Sequence, residues 1–287
     1  MKIKLHSANS FTEIGNRENN EDNLFPPVGQ SSINDSLFLV CDGVGGHYGG
    51  EIASTLACEY IPIYFNQNPT CSIDNQYVEQ AIDYARQAIK AEQINQGIYG
   101  MSTTLTLLHF GDSGATVAHL GDSRIYHLRS GKIIWQSDDH SYVNSLVKTG
   151  MITKEEARNH PHRNQITRSL NADEDNSDDC AEIYQIADIQ SGDYFFMCSD
   201  GVLEQICYDE LLEFFIYSDS INSNFERLEA IREKCVSNTN DNFTAYLIQI
   251  EVVEDVTCNH NPPSETKTIP KKNYLQNILS PFLNIFK

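Results

Sequence analysis

Basic residues are scarce in this 287-residue chain: 20 Lys and Arg stand against 40 Asp and Glu, a formal net charge of -20. A field of that sign repels nucleic-acid backbones and anionic membranes, and it favours cations or locally basic partners. Long apolar runs are missing as well. The opening MKIKLHSANSF has no apolar stretch of the secretory kind, and no segment approaches the roughly 20 apolar residues that span a bilayer, so a cytoplasmic chain without a transmembrane segment is expected. The eight cysteines form no CxxC pair and no dense ladder, which argues against a structural zinc ribbon and a disulfide scaffold and for a reduced interior. Internal repeats are absent too.

What is present is a globular composition, 40% hydrophobic with Trp135 and many Tyr and Phe. After an opening strand and a polar stretch from 15 to 23, the apolar run 37–41 leads through GVGGHYGG into a helix over 51–65. Val78, Ile82, Ala85 and Ile89 recur at spacings of three and four and predict a second helix over 74–95. Short apolar segments joined by Gly, Asp and Ser from 102 to 135 read as an antiparallel meander. Short helices are expected over 141–149 and 153–160, another strand before Asp200, helices over 208–217 and 224–236, and a closing strand over 243–250. Strand groups interleaved with paired helices predict a layered α/β protein with mainly antiparallel sheets. The acidic stretch 172–182 reads as an exposed loop.

Past residue 256 the composition changes. A domain over 1–256 is expected to end in a linker and tail over 257–287, rich in Pro and polar residues at first and basic and apolar at its finish. Packing back on the domain, docking to a partner and weak membrane contact all remain open for it.

Five carboxylates, Glu21, Asp22, Asp42, Asp200 and Asp241, sit at the ends or beginnings of strand-like apolar runs. Asp42 follows 37–41 and Asp200 follows 194–198, and in both cases a Gly comes next, suited to a sharp turn or a close backbone approach. Folding is expected to gather these oxygens into one site for hard cations, Mg²⁺ or Mn²⁺. Two such ions could activate a water and offset charge on phosphoryl oxygens. Because Glu21 and Asp22 are adjacent, one can ligate directly while the other acts through waters. Arg17, four residues before Glu21, is either a phosphate clamp or an ordinary surface group.

The words around these residues resemble the metal-dependent protein serine/threonine phosphatases of the PPM, or PP2C, type, particularly the bacterial branch. The resemblance spans residues 10 to 250 and is carried by GNRENNEDN at 15–23, VCDGVGGHYGGEIAS at 40–54, STT at 102–104, LGDSRIY at 120–126, DHS at 139–141, GMITKEEARNHPHRNQITRSL at 150–170, CSDGV at 198–202 and DNFTAYLI at 241–248. It implies an α-β-β-α sandwich with two mainly antiparallel central sheets, and hydrolysis of phosphoserine and phosphothreonine on proteins by a metal-activated water without a phospho-enzyme intermediate. By the same resemblance Asp42 bridges two ions, Gly43 lends a carbonyl, Asp200 and Asp241 complete one shell, Glu21 serves the other ion, Asp22 organises its waters and Arg17 binds phosphate. Asp122 matches a position that helps hold a weaker third ion with Asp200, or else it is a turn residue. Phosphorylated proteins, substrates of a serine/threonine kinase, are the implied partners.

Two departures stand out. Animal members carry His directly after the DG word, where this chain has Val44, so a leaving-group proton must come from elsewhere, with His47 or a bound water as candidates. Glu204 stands where some relatives place another carboxylate near the additional ion. Ser123, Asp139 and His140 read as structural. Two other readings are a binding protein that keeps the fold without the activity, and a two-metal nuclease; the second lacks a basic track.

Overall fold

The apolar runs 37–41 and 195–198 become central strands of two different sheets, buried on both faces. The computed structural model describes residues 2–44, 49–70, 72–172, 180–216, 223–236 and 239–254. In chain order its elements begin with β1 (Lys2–Leu5), β2 (Asn9–Glu13), β3 (Asp22–Phe25), β4 (Leu37–Val44), α1 (Gly49–Gln67) and α2 (Asn75–Gln96). Then come β5 (Ser102–Thr103), β6 (Leu105–Gly111), β7 (Gly114–Leu120), β8 (Arg124–Arg129), β9 (Lys132–Gln136), α3 (Tyr142–Lys148), α4 (Lys154–Arg158), β10 (Leu170–Asn171) and β11 (Glu182–Ile186). The last are β12 (Tyr194–Cys198), α5 (Asp200–Leu203), α6 (Tyr208–Glu213), α7 (Asn224–Val236) and β13 (Phe243–Glu254).

One sheet runs β1-β13-β12-β8-β9, with β2 also on β13; the other runs β10-β5-β4-β6-β7-β11, with β3 also on β4. The pairings are antiparallel. Three apolar clusters define four layers. Ile61, Ile82 and Ile89 of α1 and α2 pack on Leu39 and Leu107 of the second sheet. Phe38, Phe110, Phe195 and Tyr246 fill the space between the sheets. Leu211 of α6 and Leu228 and Ile231 of α7 cover Phe196 and Leu247 on the outer face of the first sheet. Each fully buried side chain of this kind contributes about 1.5–3 kcal/mol. The α-β-β-α sandwich is therefore the observed fold.

The stripe of α2 is buried as its spacing requires, and the helix is closed by Asp74, which accepts from the Tyr77 N–H, and by Gly97 in the left-handed region at φ 67°. The meander needs correction. β6 and β7 form a hairpin of one sheet, β8 and β9 a hairpin of the other, and the chain crosses between sheets at 121–123. Alternation could not reveal this, because β7 is buried throughout and β8 nearly so. The acidic stretch is also not wholly a loop. Ala172 is buried and Glu182 opens β11, which completes the sheet edge on β7; residues 173–179 lie outside the described residues.

The chain divides into two units, Met1–Asp255 and Val256–Lys287. The second, which contains the basic and apolar tail, lies outside the described residues. Among the described residues no helix is long and apolar enough to cross a membrane.

Candidate active site

At one end of the sandwich a cavity of about 770 Å³ is lined by Arg17, Glu21, Asp42, Gly43, Asp122, Asp200 and Asp241, together with Glu18, Asn16, Asn19, Val44, Asn164, Ile166 and Asn242. Of the eight residues singled out in sequence, seven thus meet around one space. Asp22 does not line it. It is buried behind the floor, opposite Asp42 in the β3–β4 register, where its Oδ2 accepts from Ser199 Oγ at 2.7 Å and its Oδ1 has no partner.

Local structure explains each placement. β4 pairs with β6 over 37–40 and with β5 over 43–44, which leaves Asp42 at the change of partner. Its backbone is held there by Thr104: the Asp42 N–H donates to Thr104 Oγ1 at 2.9 Å and the Thr104 N–H to the Asp42 carbonyl at 2.7 Å. Gly43 is required sterically, since a Cβ would lie 2.3 Å from the Gly50 carbonyl carbon and 2.8 Å from the Glu21 carbonyl oxygen. Asp200 is the first residue of α5, separated from the end of β12 by Ser199 alone. Asp241 precedes β13; its Oδ1 accepts from the Asn242 N–H at 2.8 Å and its Oδ2 from Arg17 Nη2 at 2.7 Å. Glu21 lies against the start of α1, close to Gly50.

The electrostatics are unusual for a folded core. Burial first, and neighbouring carboxylates after it, push the Asp42 carboxyl well above its ordinary range, Asp122 up to about 8 and Asp200 up to about 6. Glu21 is raised as well, again mainly by burial. Against Glu18, Glu21, Asp42, Asp122, Asp200 and Asp241 the described lining offers one cation, Arg17, whose side chain is 57% exposed. Converging carboxylate oxygens and a surplus of acidic over basic groups in the described lining are the donor set that hard divalent cations require, so the residues fit such ions.

Three contributors were not foreseen. Asn242 takes the Glu21 N–H on its Oδ1 at 2.8 Å and gives its Nδ2 protons to the Ile14 and Asn19 carbonyls at 2.8 and 2.9 Å, so one amide shapes the loop that carries Arg17 and Glu21. Thr104, between β5 and β6, and Ser199, the N-cap of α5, anchor Asp42 and Asp22 from positions distant in sequence. All three stand inside words that carry the family resemblance, STT, CSDGV and DNFTAYLI, but the words do not reveal what these side chains bond. Ser123 is structural as expected, fully buried at 2.8 Å from Thr104 Oγ1, and Asp139 forms a two-pronged pair with Arg124. Glu204 is exposed and does not line the cavity, although its charge helps raise Asp200. His47 falls outside the described residues. Near the cavity, His119, His140 and Glu182 bring one donor atom each within 4.8 Å of one another, a spacing compatible with a divalent cation.

A family model described as protein phosphatase 2C matches residues 12–234. The chain belongs to the protein phosphatase 2C family. It is 32% identical over 204 residues to the protein phosphatase PhpP of Streptococcus pneumoniae, covering 70% of this chain and 80% of that one. Among solved structures it resembles the serine/threonine phosphatase PstP of Mycobacterium tuberculosis, with a TM-score of 0.73 at 28% identity over 87% of this chain and 100% of the other. The catalytic domain of PstP in complex with two manganese ions aligns with a TM-score of 0.71 at 26% identity, over 88% of this chain and 100% of that one. The protein phosphatase 2C chain described here is thus a metal-dependent protein serine/threonine phosphatase of the bacterial branch.

Proposed function

We propose that the enzyme hydrolyses phosphoserine and phosphothreonine on proteins by direct attack of water, with no phospho-enzyme intermediate. The observation that carries this reading is the convergence of Glu21, Asp42, Asp122, Asp200 and Asp241 on one cavity: carboxylates gathered to hold cations are not free to accept a phosphoryl group as an isolated aspartate can, and the described lining contains no hydroxyl, thiol or imidazole. Asp42, Gly43, Asp200, Asp241 and Glu21 would hold two Mn²⁺ or Mg²⁺ ions, the number present in the PstP complex, with Asp122 and Asp200 taking a weaker third. When bound, the ions supply positive charge against the phosphoryl oxygens and lower the pKa of a water enough for attack at neutral pH.

The chain's own groups do the rest. Arg17 spends one N–H on Asp241 and keeps four to orient a phosphate at the exposed mouth. Asn242 and Thr104 hold the loop of Glu21 and the strand of Asp42 so that little reorganisation is left when substrate arrives. Asp22, aligned by Ser199, is placed to order solvent behind Asp42. Val44 presents no proton, which leaves a water or His47, the latter outside the described residues, as the source for the departing serine or threonine oxygen. A rapid acid quench during turnover of a phosphopeptide tests the reading: expected are phosphate and dephosphorylated peptide with no labelled enzyme, and loss of turnover in chelator. An acid-stable phosphorylated enzyme, or full turnover in chelator, would overturn it.

A cytoplasmic setting belongs to the same proposal, supported by the six described cysteines being free. So does the division into a phosphatase body over 1–256 and a tail over 257–287 that acts on partner choice. Truncation after 256 should leave hydrolysis of a small aryl phosphate intact.

A further inference from the structure

The turn that carries Asp122 is tethered on two sides. Toward Asp42, Ser123 Oγ lies 2.8 Å from Thr104 Oγ1, which in turn accepts from the Asp42 N–H at 2.9 Å. Toward the opposite side, a single residue takes both polar backbone groups of Gly121. The Gly121 N–H donates to His140 Nδ1 at 3.2 Å, and the His140 N–H donates to the Gly121 carbonyl at 2.9 Å. The turn requires glycine there, since Gly121 sits at φ 98° and a Cβ would lie 2.6 Å from Thr104 Cγ2.

His140 is itself fixed. It is 6% exposed, its ring lies on His119 with centroids 4.5 Å apart and planes 11° from parallel, and its carbonyl accepts from the Thr167 N–H at 2.7 Å. Its Nε2 faces Glu182 Oε1 at 3.2 Å; Arg168 Nη1 lies 3.4 Å from that nitrogen and 3.5 Å from the same oxygen, so the shorter Glu182 contact and the Gly121 N–H together favour a proton on Nε2 over a bond accepted from Arg168. A bond from the Gly121 N–H needs a lone pair on Nδ1, which puts the ring proton on Nε2 and makes Glu182 its acceptor. Both ring nitrogens are then in use. The near-parallel stack also keeps the in-plane lone pairs of His119 and His140 from converging on one point, so this use of the ring competes with ligation of a cation there.

We infer that His140 is a positioning residue for Asp122: it holds the Gly121–Asp122 turn so that the carboxylate is aimed into the acidic cavity, and Glu182 selects the tautomer that makes the bond. The inference rests on the proposed role of Asp122 as a cation ligand.

Two measurements on the full chain test it. Nitrogen-15 NMR of the histidine rings at pH 7 should find His140 with an unprotonated Nδ1 and a protonated Nε2; the opposite tautomer would overturn the inference without need of any variant. Calorimetric titration with Mn²⁺ supplies the second. His140→Phe keeps the stacking ring but removes Nδ1, and the weakest class of Mn²⁺ site should lose about 10- to 100-fold in affinity, the range found when a group that orients a ligand is removed. The tighter sites should be unchanged. His140→Asn, whose Oδ1 can stand in for Nδ1, should recover most of the loss, and His140→Phe should add nothing in an Asp122→Asn background. Undiminished weak-site affinity in a folded His140→Phe protein, or a loss that adds in full to that of Asp122→Asn, would overturn the inference alone. If Asp122→Asn itself leaves all Mn²⁺ binding unchanged, the assignment of Asp122 fails and the inference with it. A Mn²⁺ equivalent lost in His140→Phe but kept in Asp122→Asn would instead make His119, His140 and Glu182 a cation site, and would also overturn it.

Discussion

Asp193 and Asp200 lie seven residues apart in sequence, at opposite ends of β12, and meet opposite fates. Asp193 is fully buried, and burial alone would raise its pKa; two N–H groups of Arg129, the His127 ring and the Gln190 N–H outweigh that and hold the carboxyl at about 2. Asp200 is partly buried among Asp42, Asp122 and Asp241, and its pKa rises to about 6. One carboxylate is neutralised by the protein. The other belongs to a group whose neutralisation the described side chains leave incomplete, and that difference separates a structural acid from one available to a ligand.

The sharpest break of this comparison comes from neutralising one member of each set. Asp42→Asn should reduce phosphopeptide turnover by roughly 10²- to 10³-fold, the loss seen when one preorganised electrostatic group is removed, while the metal-free melting temperature holds or rises because a source of repulsion is gone. Turnover, Mn²⁺ calorimetry and thermal melts on the same preparation check this, and a near-normal rate in a folded Asp42→Asn protein would refute it. Asp193→Asn should do the reverse. With Arg129 left partly exposed and His127 buried, removal of their partner should cost about 3 kcal/mol of stability, toward the low end for breaking a buried pair, with Mn²⁺ affinity unchanged. Denaturant unfolding reads the first number and calorimetry the second.

Acidity offers a gentler probe of the same contrast. In the unfolded chain an aspartate releases its proton near 3.9; in the folded metal-free protein Asp200 holds its proton to about 6 and Asp122 to about 8. Between those limits the folded state binds more protons, so metal-free stability should fall as pH rises from 5 to 8. Asp193 has the opposite sign: its contribution is complete above the unfolded value and is lost only in stronger acid. Mn²⁺ should therefore raise the melting temperature most at pH 8 and least at pH 5. A metal-free melting temperature that climbs across this range would show that the cavity carboxylates do not repel one another as described.

The same contrast explains what could be read without coordinates. Asp42 and Asp200 were legible because each ends an apolar run just before a glycine, a local pattern with a local cause. A layered α/β protein with mainly antiparallel sheets was legible from the alternation of strand groups and paired helices, whereas the four layers came only from the family resemblance. The Asp193 network was not, since SGDY reads as an ordinary turn and Arg129 lies 64 residues away. Nor was Asn242, whose three bonds reach back more than 220 residues to the loop of Arg17. The crossing at Gly121 was hidden for a related reason: pattern reports burial, and the strands on either side of the crossing, β7 and β8, are both buried, so it cannot say in which sheet each lies. Long-range hydrogen bonds leave little trace in the residues beside them.

Arg17 marks the smallest expected effect and the finest test. Like Arg129 it pairs with an aspartate, but its side chain is 57% exposed and gives Asp241 a single bond of 2.7 Å, so solvent and salt screen much of the interaction. Arg17→Ala should leave melting temperature and Mn²⁺ affinity nearly unchanged while raising the phosphopeptide KM about tenfold, equivalent to the loss of one charge-assisted contact to phosphate. Arg17→Lys should recover only part of that, because an ammonium restores the charge but not the planar fork. The two variants together separate attraction from orientation. If Lys restores KM fully, Arg17 acts as a point charge in an acidic field; if both variants lose Mn²⁺ affinity, Arg17 is holding Asp241 in place as Arg129 holds Asp193, and the two ends of β12 are more alike than their exposures suggest.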